Sequence, residues 1–163
     1  MKKLVLYILL FLSLTSTALA ASQAPVVGTS PPELSLPNLD GKLVSLQESL
    51  NQKPVILFFF TSWSKSCQSE LKDLQTLYND RVEIIGVALD KKSKELKTFV
   101  SDHGLTFPIL VDKKLVSLDQ FQVIIIPTTF CLNKNGKLDK IFVDYDDNVK
   151  KSIAAWLTGQ SSL

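Results

Sequence analysis

The chain has 163 residues, 45% of them hydrophobic and 21% charged, which is enough for one domain with a real core. Lys2 and Lys3 fall in a segment expected to be removed, and taking these two from the 18 basic residues leaves a balance with the 16 acidic ones. That excludes an electrostatic footprint for nucleic acid or for an anionic membrane.

Residues 1–20 read as a signal peptide: Lys2 and Lys3, an apolar run from Leu4 to Leu12, and the small-residue cleavage site Ala18-Leu19-Ala20. The run is shorter than the ~20 residues needed to cross a bilayer. The mature chain is therefore expected to start near Ala21, periplasmic or extracellular, with no stable membrane span. An uncleaved N-terminal anchor is the alternative. Export implies an oxidising compartment. Residues 21–30, small and Pro/Gly-containing, read as a linker, 31–159 as the domain and 160–163 as a C-terminal tail.

Residues 33–36 and 43–46 flank the turn Asn38-Leu39-Asp40-Gly41 and predict a hairpin. Val55 to Phe60 is an unbroken apolar run of strand length, as expected of a strand buried on both faces. A polar turn follows, then a helix over about 64–79, with Cys67, Leu71, Leu74 and Tyr78 on one face. Residues 82–89 predict a second buried strand, ended by Asp90. Ser93 is expected to cap a helix running to His103, with Gly104 as its stop. A short apolar run at 108–111 and a helical turn near 114–120 come next. Ile124 to Leu132 encloses Pro127, which belongs at a strand start because it cannot donate to a ladder. The turn 133–136 leads to a strand at 138–143. A last helix carries Val149, Ile153, Trp156 and Leu157 on one face. Strands alternating with helices, then a hairpin and a helix, predict an α/β fold: a mixed central sheet flanked by helices on both faces.

The strand, the turn Trp63-Ser64-Lys65-Ser66-Cys67 and the run Ile126-Pro127-Thr128 resemble thioredoxin-like proteins of the TlpA/ResA type, in the redoxin (AhpC/TSA) superfamily. The resemblance covers residues 31–158 and implies a thioredoxin-like fold with an N-terminal hairpin extension. It also implies thiol–disulfide oxidoreductase activity on exported protein or small-molecule thiols and disulfides, without a cofactor. It further implies that Pro127 is cis and that Trp63, Lys65, Ile126, Pro127 and Thr128 line a binding groove. Trp63 would be both a packing residue and the lip of that groove. One departure stands out: Ser64 occupies the position of the attacking cysteine of C-x-x-C.

A serine hydroxyl is barely ionised at neutral pH and has no sulfur to share, so a dithiol couple is excluded by composition. Cys131 does not replace the missing partner. It lies four residues past Pro127, about 13 Å along a strand at ~3.3 Å per residue, whereas a disulfide needs Cα atoms within about 7 Å. It reads as a buried small hydrophobe, so no disulfide is expected. One histidine and two cysteines give no zinc or haem spacing, and no metal is expected. His103 reads as a cap.

Three readings of Cys67 stand open. It is a monothiol redox group, its pKa lowered by the helix N-terminus and Lys65. It is a one-cysteine peroxidase, with Ser64 orienting peroxide in a Ser-x-x-Cys motif. Against this, Phe60 replaces that family's proline and Pro127 its arginine. Or the domain is a non-catalytic binding module and Cys67 a core residue. Ser64 has a structural role in each case, as an N-cap accepting from the Cys67 backbone N–H. Phe58 to Phe60 leave no carboxylate on the strand before the turn, so a buried proton-shuttling aspartate is expected to be missing.

Overall fold

A computed structural model describes residues 24–50, 52–77 and 81–160. The expected signal peptide, Tyr78 and residues 161–163 lie outside the described residues. The elements run β1 (Ser35–Pro37), β2 (Leu43–Ser45), α1 (Leu46–Ser49), β3 (Val55–Phe60), α2 (Lys65–Leu77), β4 (Glu83–Ala88), α3 (Ser93–Asp102), β5 (Ile109–Val111), α4 (Val116–Phe121), β6 (Thr128–Leu132), β7 (Leu138–Val143) and α5 (Asp147–Gln160). The main sheet is five-stranded in the order β5-β4-β3-β6-β7, and β1 and β2 form a separate hairpin. β3, β4 and β5 run parallel, while β6 and β7 are antiparallel to their neighbours. A bridge between Asn38 and Leu110 joins the hairpin to the β5 edge.

β3 is central because all six of its side chains are apolar and buried. Its alternation splits the core in two. Ile56, Phe58 and Phe60 pack with Cys67, Leu71 and Leu74 of α2, Leu96 of α3, and Ile153 and Trp156 of α5. Val55, Leu57 and Phe59 face the other way, against Leu34 and Leu36 of the hairpin segment, Leu46 of α1 and Phe121 of α4. Each fully buried side chain of this size contributes about 1.5–3 kcal/mol. Gly86 on β4 marks the tightest approach: a Cβ there would meet Ile109 Cδ1 at 2.7 Å.

Two expectations need correction. Ser93 is the first residue of α3 rather than its cap; Lys92 holds the cap position and makes no side-chain cap hydrogen bond. The second hairpin strand stops at Ser45, which caps the unforeseen α1 by accepting from Gln47 N–H. Of the segment read as a linker, Gly28 N–H donates to Leu138 O (2.7 Å) and Leu138 N–H to Thr29 O (2.9 Å), which joins it to the start of β7. Gly104, at φ +57°, does end α3 in the left-handed conformation that suits glycine. His103 closes that helix too, its Nδ1 2.9 Å from Phe99 O. Among the described residues no helix is long and apolar enough to cross a membrane.

Candidate functional site

The C-terminal end of β3 delivers the chain to a turn held from both sides. Asp90, just past β4, accepts from the Ser62 N–H (3.0 Å) and the Ser62 hydroxyl (2.6 Å). Gln68, one turn into α2, donates its side-chain amide to Ser62 O at 2.7 Å. Ser64 then starts the helix: its carbonyl accepts from Gln68 N–H (3.0 Å), and its hydroxyl accepts from Cys67 N–H at a long 3.4 Å. The capping role read from the sequence is therefore present, though weak.

Cys67 sits at the third helical position with no exposed surface. Here the structure overturns the expectation of a lowered pKa. Burial pushes the thiol up and outweighs the Ser64 and Thr61 contacts that favour the thiolate, while nearby Glu70 pushes the same way as burial. Lys65 stands exposed, where water screens its charge. The helix dipole is real, but desolvation wins.

Sequence reasoning missed Glu70. It lies three residues after Cys67 on the same helical face and is fully buried. Burial raises its pKa from the ordinary 4.5 to about 8; Asp144 and Asp73 add to the rise and the Thr129 hydroxyl opposes it by donating to Oε1. Its other oxygen, Oε2, has no hydrogen-bond partner among the described residues. The strand before the turn carries no carboxylate, as read from Phe58–Phe60, but the helix supplies one. The available signals were an acid inside the stripe Cys67, Leu71, Leu74 and a threonine amid the apolar run of β6.

The proline loop closes the other side. The Ile126–Pro127 peptide bond is cis. Pro127 O accepts from Asp144 N–H (2.8 Å), and the Thr128 hydroxyl donates to Ile125 O (2.6 Å). Ile126 is half-buried and packs against both halves of the core, the one containing Cys67 and the one behind the sheet. Asp144, left-handed at φ +64°, also accepts from the Ser66 hydroxyl (2.9 Å), so the loop before α5 is tied to the first turn of α2. Around this rim Trp63 is 75% and Ile124 92% exposed, large apolar surfaces left to water.

Cys131 lies on β6 opposite Ile56, buried, its thiol pushed far up by burial. Both cysteines are free. Among the described residues no cluster of His, Cys, Asp and Glu could hold a metal ion. What the site brings together is a sequestered thiol, a buried carboxyl group and an apolar, exposed rim.

The sequence matches the AhpC/TSA family over residues 27–141. It is 35% identical over 122 residues to the thioredoxin-like protein YneN of Bacillus subtilis, covering 71% of each chain. It is 34% identical to the thiol-disulfide oxidoreductase ResA of Geobacillus thermodenitrificans, over 72% of this chain and 70% of that one. Among solved structures, StoA of Bacillus subtilis superposes with a TM-score of 0.61 at 28% identity, over 76% of this chain and 97% of that one. A putative thiol:disulfide interchange protein DsbE from Chlorobium tepidum gives a TM-score of 0.77 at 23% identity, over 84% and 99%.

Proposed function

We propose, for a chain that belongs to the AhpC/TSA family of thioredoxin-like proteins, a role as an exported protein that binds thiol-bearing polypeptides at the Pro127 rim without dithiol turnover. The binding surface is exposed Trp63 and Lys65 with half-buried Ser64 and Ile126, backed by Pro127 and Thr128, which are buried beneath it. The observation that carries this reading is Cys67: fully buried, its thiol pushed toward the protonated form, behind a serine where exchange would need a second thiolate. Thiol–disulfide exchange needs an accessible thiolate. The resting protein presents an apolar lip instead. The relatives named as thiol-disulfide oxidoreductases support the substrate class, and residues 1–20 support export.

The same burial argues against a peroxidase. A peroxidatic thiolate needs positive charge beside it, and the buried ionisable neighbour here is Glu70. Monothiol exchange through Cys67 has one observation in its favour. When ionised, the Glu70 carboxylate is a base one helical turn from the thiol, able to take its proton before the sulfur attacks a partner disulfide.

The test uses reduced ribonuclease A with its thiols free and kept reduced under argon, a fully unfolded chain. Wild type and Cys67→Ser should bind it alike by calorimetry, and Trp63→Ser should bind at least tenfold more weakly. Wild type should leave insulin-disulfide reduction at the dithiothreitol background, while Ser64→Cys raises it several-fold. No binding by wild type, or insulin reduction above background, would overturn the reading.

A further inference from the structure

At the β5 edge of the sheet the hairpin closes over the carboxyl ends of β4 and β5, where α/β sheets leave crevices for ligands. Past β5 the chain runs through Val111, Asp112, Lys113 and Lys114 into α4, and past β4 it reaches Ser93, the first residue of α3. The hairpin turn lies against both segments, and together they enclose a cavity of about 480 Å³. Leu36, Leu39, Val111 and Val116 supply apolar walls, and Val116 is left 44% exposed. The turn holds its shape with the cavity empty. The Asn38 side chain accepts from Asp40 N–H (3.0 Å) and Lys42 N–H (2.9 Å), and Lys97 meets Asp40 at 3.9 Å. None of the lining residues belongs to the Trp63–Pro127 rim.

The polar part of the lining favours an anion. Lys113 and Lys114 are exposed, and neither ammonium group has an ion-pair or hydrogen-bond partner among the described residues. Beside them α3 starts without a side-chain cap, so its first N–H groups are open to an acceptor. The acid in the lining, Asp112, is buried and already engaged. Its Oδ1 accepts from Val116 N–H (3.2 Å), and its Oδ2 from Ser117 N–H (2.7 Å) and from the Ser117 hydroxyl. That carboxylate is turned into the start of α4 and leaves the lysines unpaired.

We propose that this cavity binds a small organic carboxylate with an apolar body. The body lies against Leu39 and Val116, and the carboxylate lies between Lys113, Lys114 and the first turn of α3. The volume is in the range of small-molecule sites, which pair apolar walls with a few converging polar groups. A neutral apolar molecule would leave both cations unused, and an inorganic anion would leave the walls in water. Only a molecule with both parts uses the whole lining.

Octanoate, with octanol as its uncharged match, tests this by amide NMR shifts on the nitrogen-15-labelled protein. Octanoate should shift the amides of Leu39, Gly41, Ser93 and Val116 saturably and bind about fivefold more tightly than octanol, as expected of contacts with two solvent-screened lysines. Lys113→Met/Lys114→Met keeps the apolar stems and removes the charges. It should bring octanoate down to the affinity of octanol and leave octanol unchanged. Val116→Glu, at an exposed position, should weaken both. Equal affinities of wild type for octanoate and octanol would overturn the proposal, as would the absence of saturable shifts at these four amides. Shifts at Trp63 and Ile126 in their place would overturn it by giving the ligand to the rim. The same amides shifting with protein concentration alone would assign the cavity to a second copy. Displacement of octanoate by an acidic heptapeptide at lower concentration would assign it to a protein partner, and either result sinks the small-molecule site.

Discussion

The two faces of the central sheet are built from one strand and end differently. On the face with Phe58 and Phe60, α2, α3 and α5 cover the sheet and bury Cys67 and Glu70 along with the hydrocarbon. On the face with Phe59, the hairpin segment, α1 and α4 cover β3 and its neighbours but leave Ile124, Ile125, Ile141 and Val143 in water. The difference teaches how burial sets the character of ionisable groups on one face and not on the other. Covering the first face strips water from the thiol and the carboxyl group and holds both toward their protonated forms. Leaving the second open costs little stability.

The sharpest way to break this comparison is to truncate one apolar side chain on each face. Leu71→Ala, on the covered face, should lower stability by about 2–5 kcal/mol in urea titrations. Ile124→Ser, on the open face, should stay within about 0.5 kcal/mol of wild type. Equal losses would mean that the open face is not open.

A second measurement concerns the buried carboxyl group. The folded-state pKa of Glu70, about 8, lies above its ordinary 4.5, so the folded state binds the extra proton between those values. The contribution of Glu70 to stability is therefore fully present below about pH 4.5 and is lost as pH rises toward 8, by at most about 1.4 kcal/mol per pH unit. Glu70→Gln should remove that slope and be the more stable protein at pH 8. An unchanged pH profile would mean that the carboxylate is hydrated after all.

A small loss is expected where α5 is fastened to α2. Lys150 and Asp73 meet at 2.8 Å, and Tyr145 donates to the same carboxylate at 2.6 Å. Lys150→Met should cost no more than about 1 kcal/mol, less at high salt. A larger loss would show that the covered face depends on its polar fastening as well as on its apolar packing.

Most of the fold was legible because its signals are local. The apolar run of β3, the stripe Cys67-Leu71-Leu74, Gly104 and the turn at 133–136 each constrain the backbone over a few residues. The misreadings had the same origin. Ser93 is a good capping residue by type, but the chain enters α3 one residue earlier. In the segment before Pro31, composition gave no sign that Gly28 and Thr29 pair with Leu138 on a strand about a hundred residues away. At the site, Ser64 and Pro127 could be located from their neighbours in sequence. Glu70 could not be identified as buried, because its burial depends on groups far away in sequence, Thr129 of β6 among them.

By itself, the order of residues determined that no dithiol couple exists at this site, because an alcohol oxygen cannot stand in for sulfur whatever surrounds it. It also determined that a thiol would sit at a helix N-terminus. Only the tertiary structure decided that thiol's character. A helix dipole acts over one turn and is written locally, whereas desolvation depends on every group packed above the sulfur, and here those groups come from distant parts of the chain.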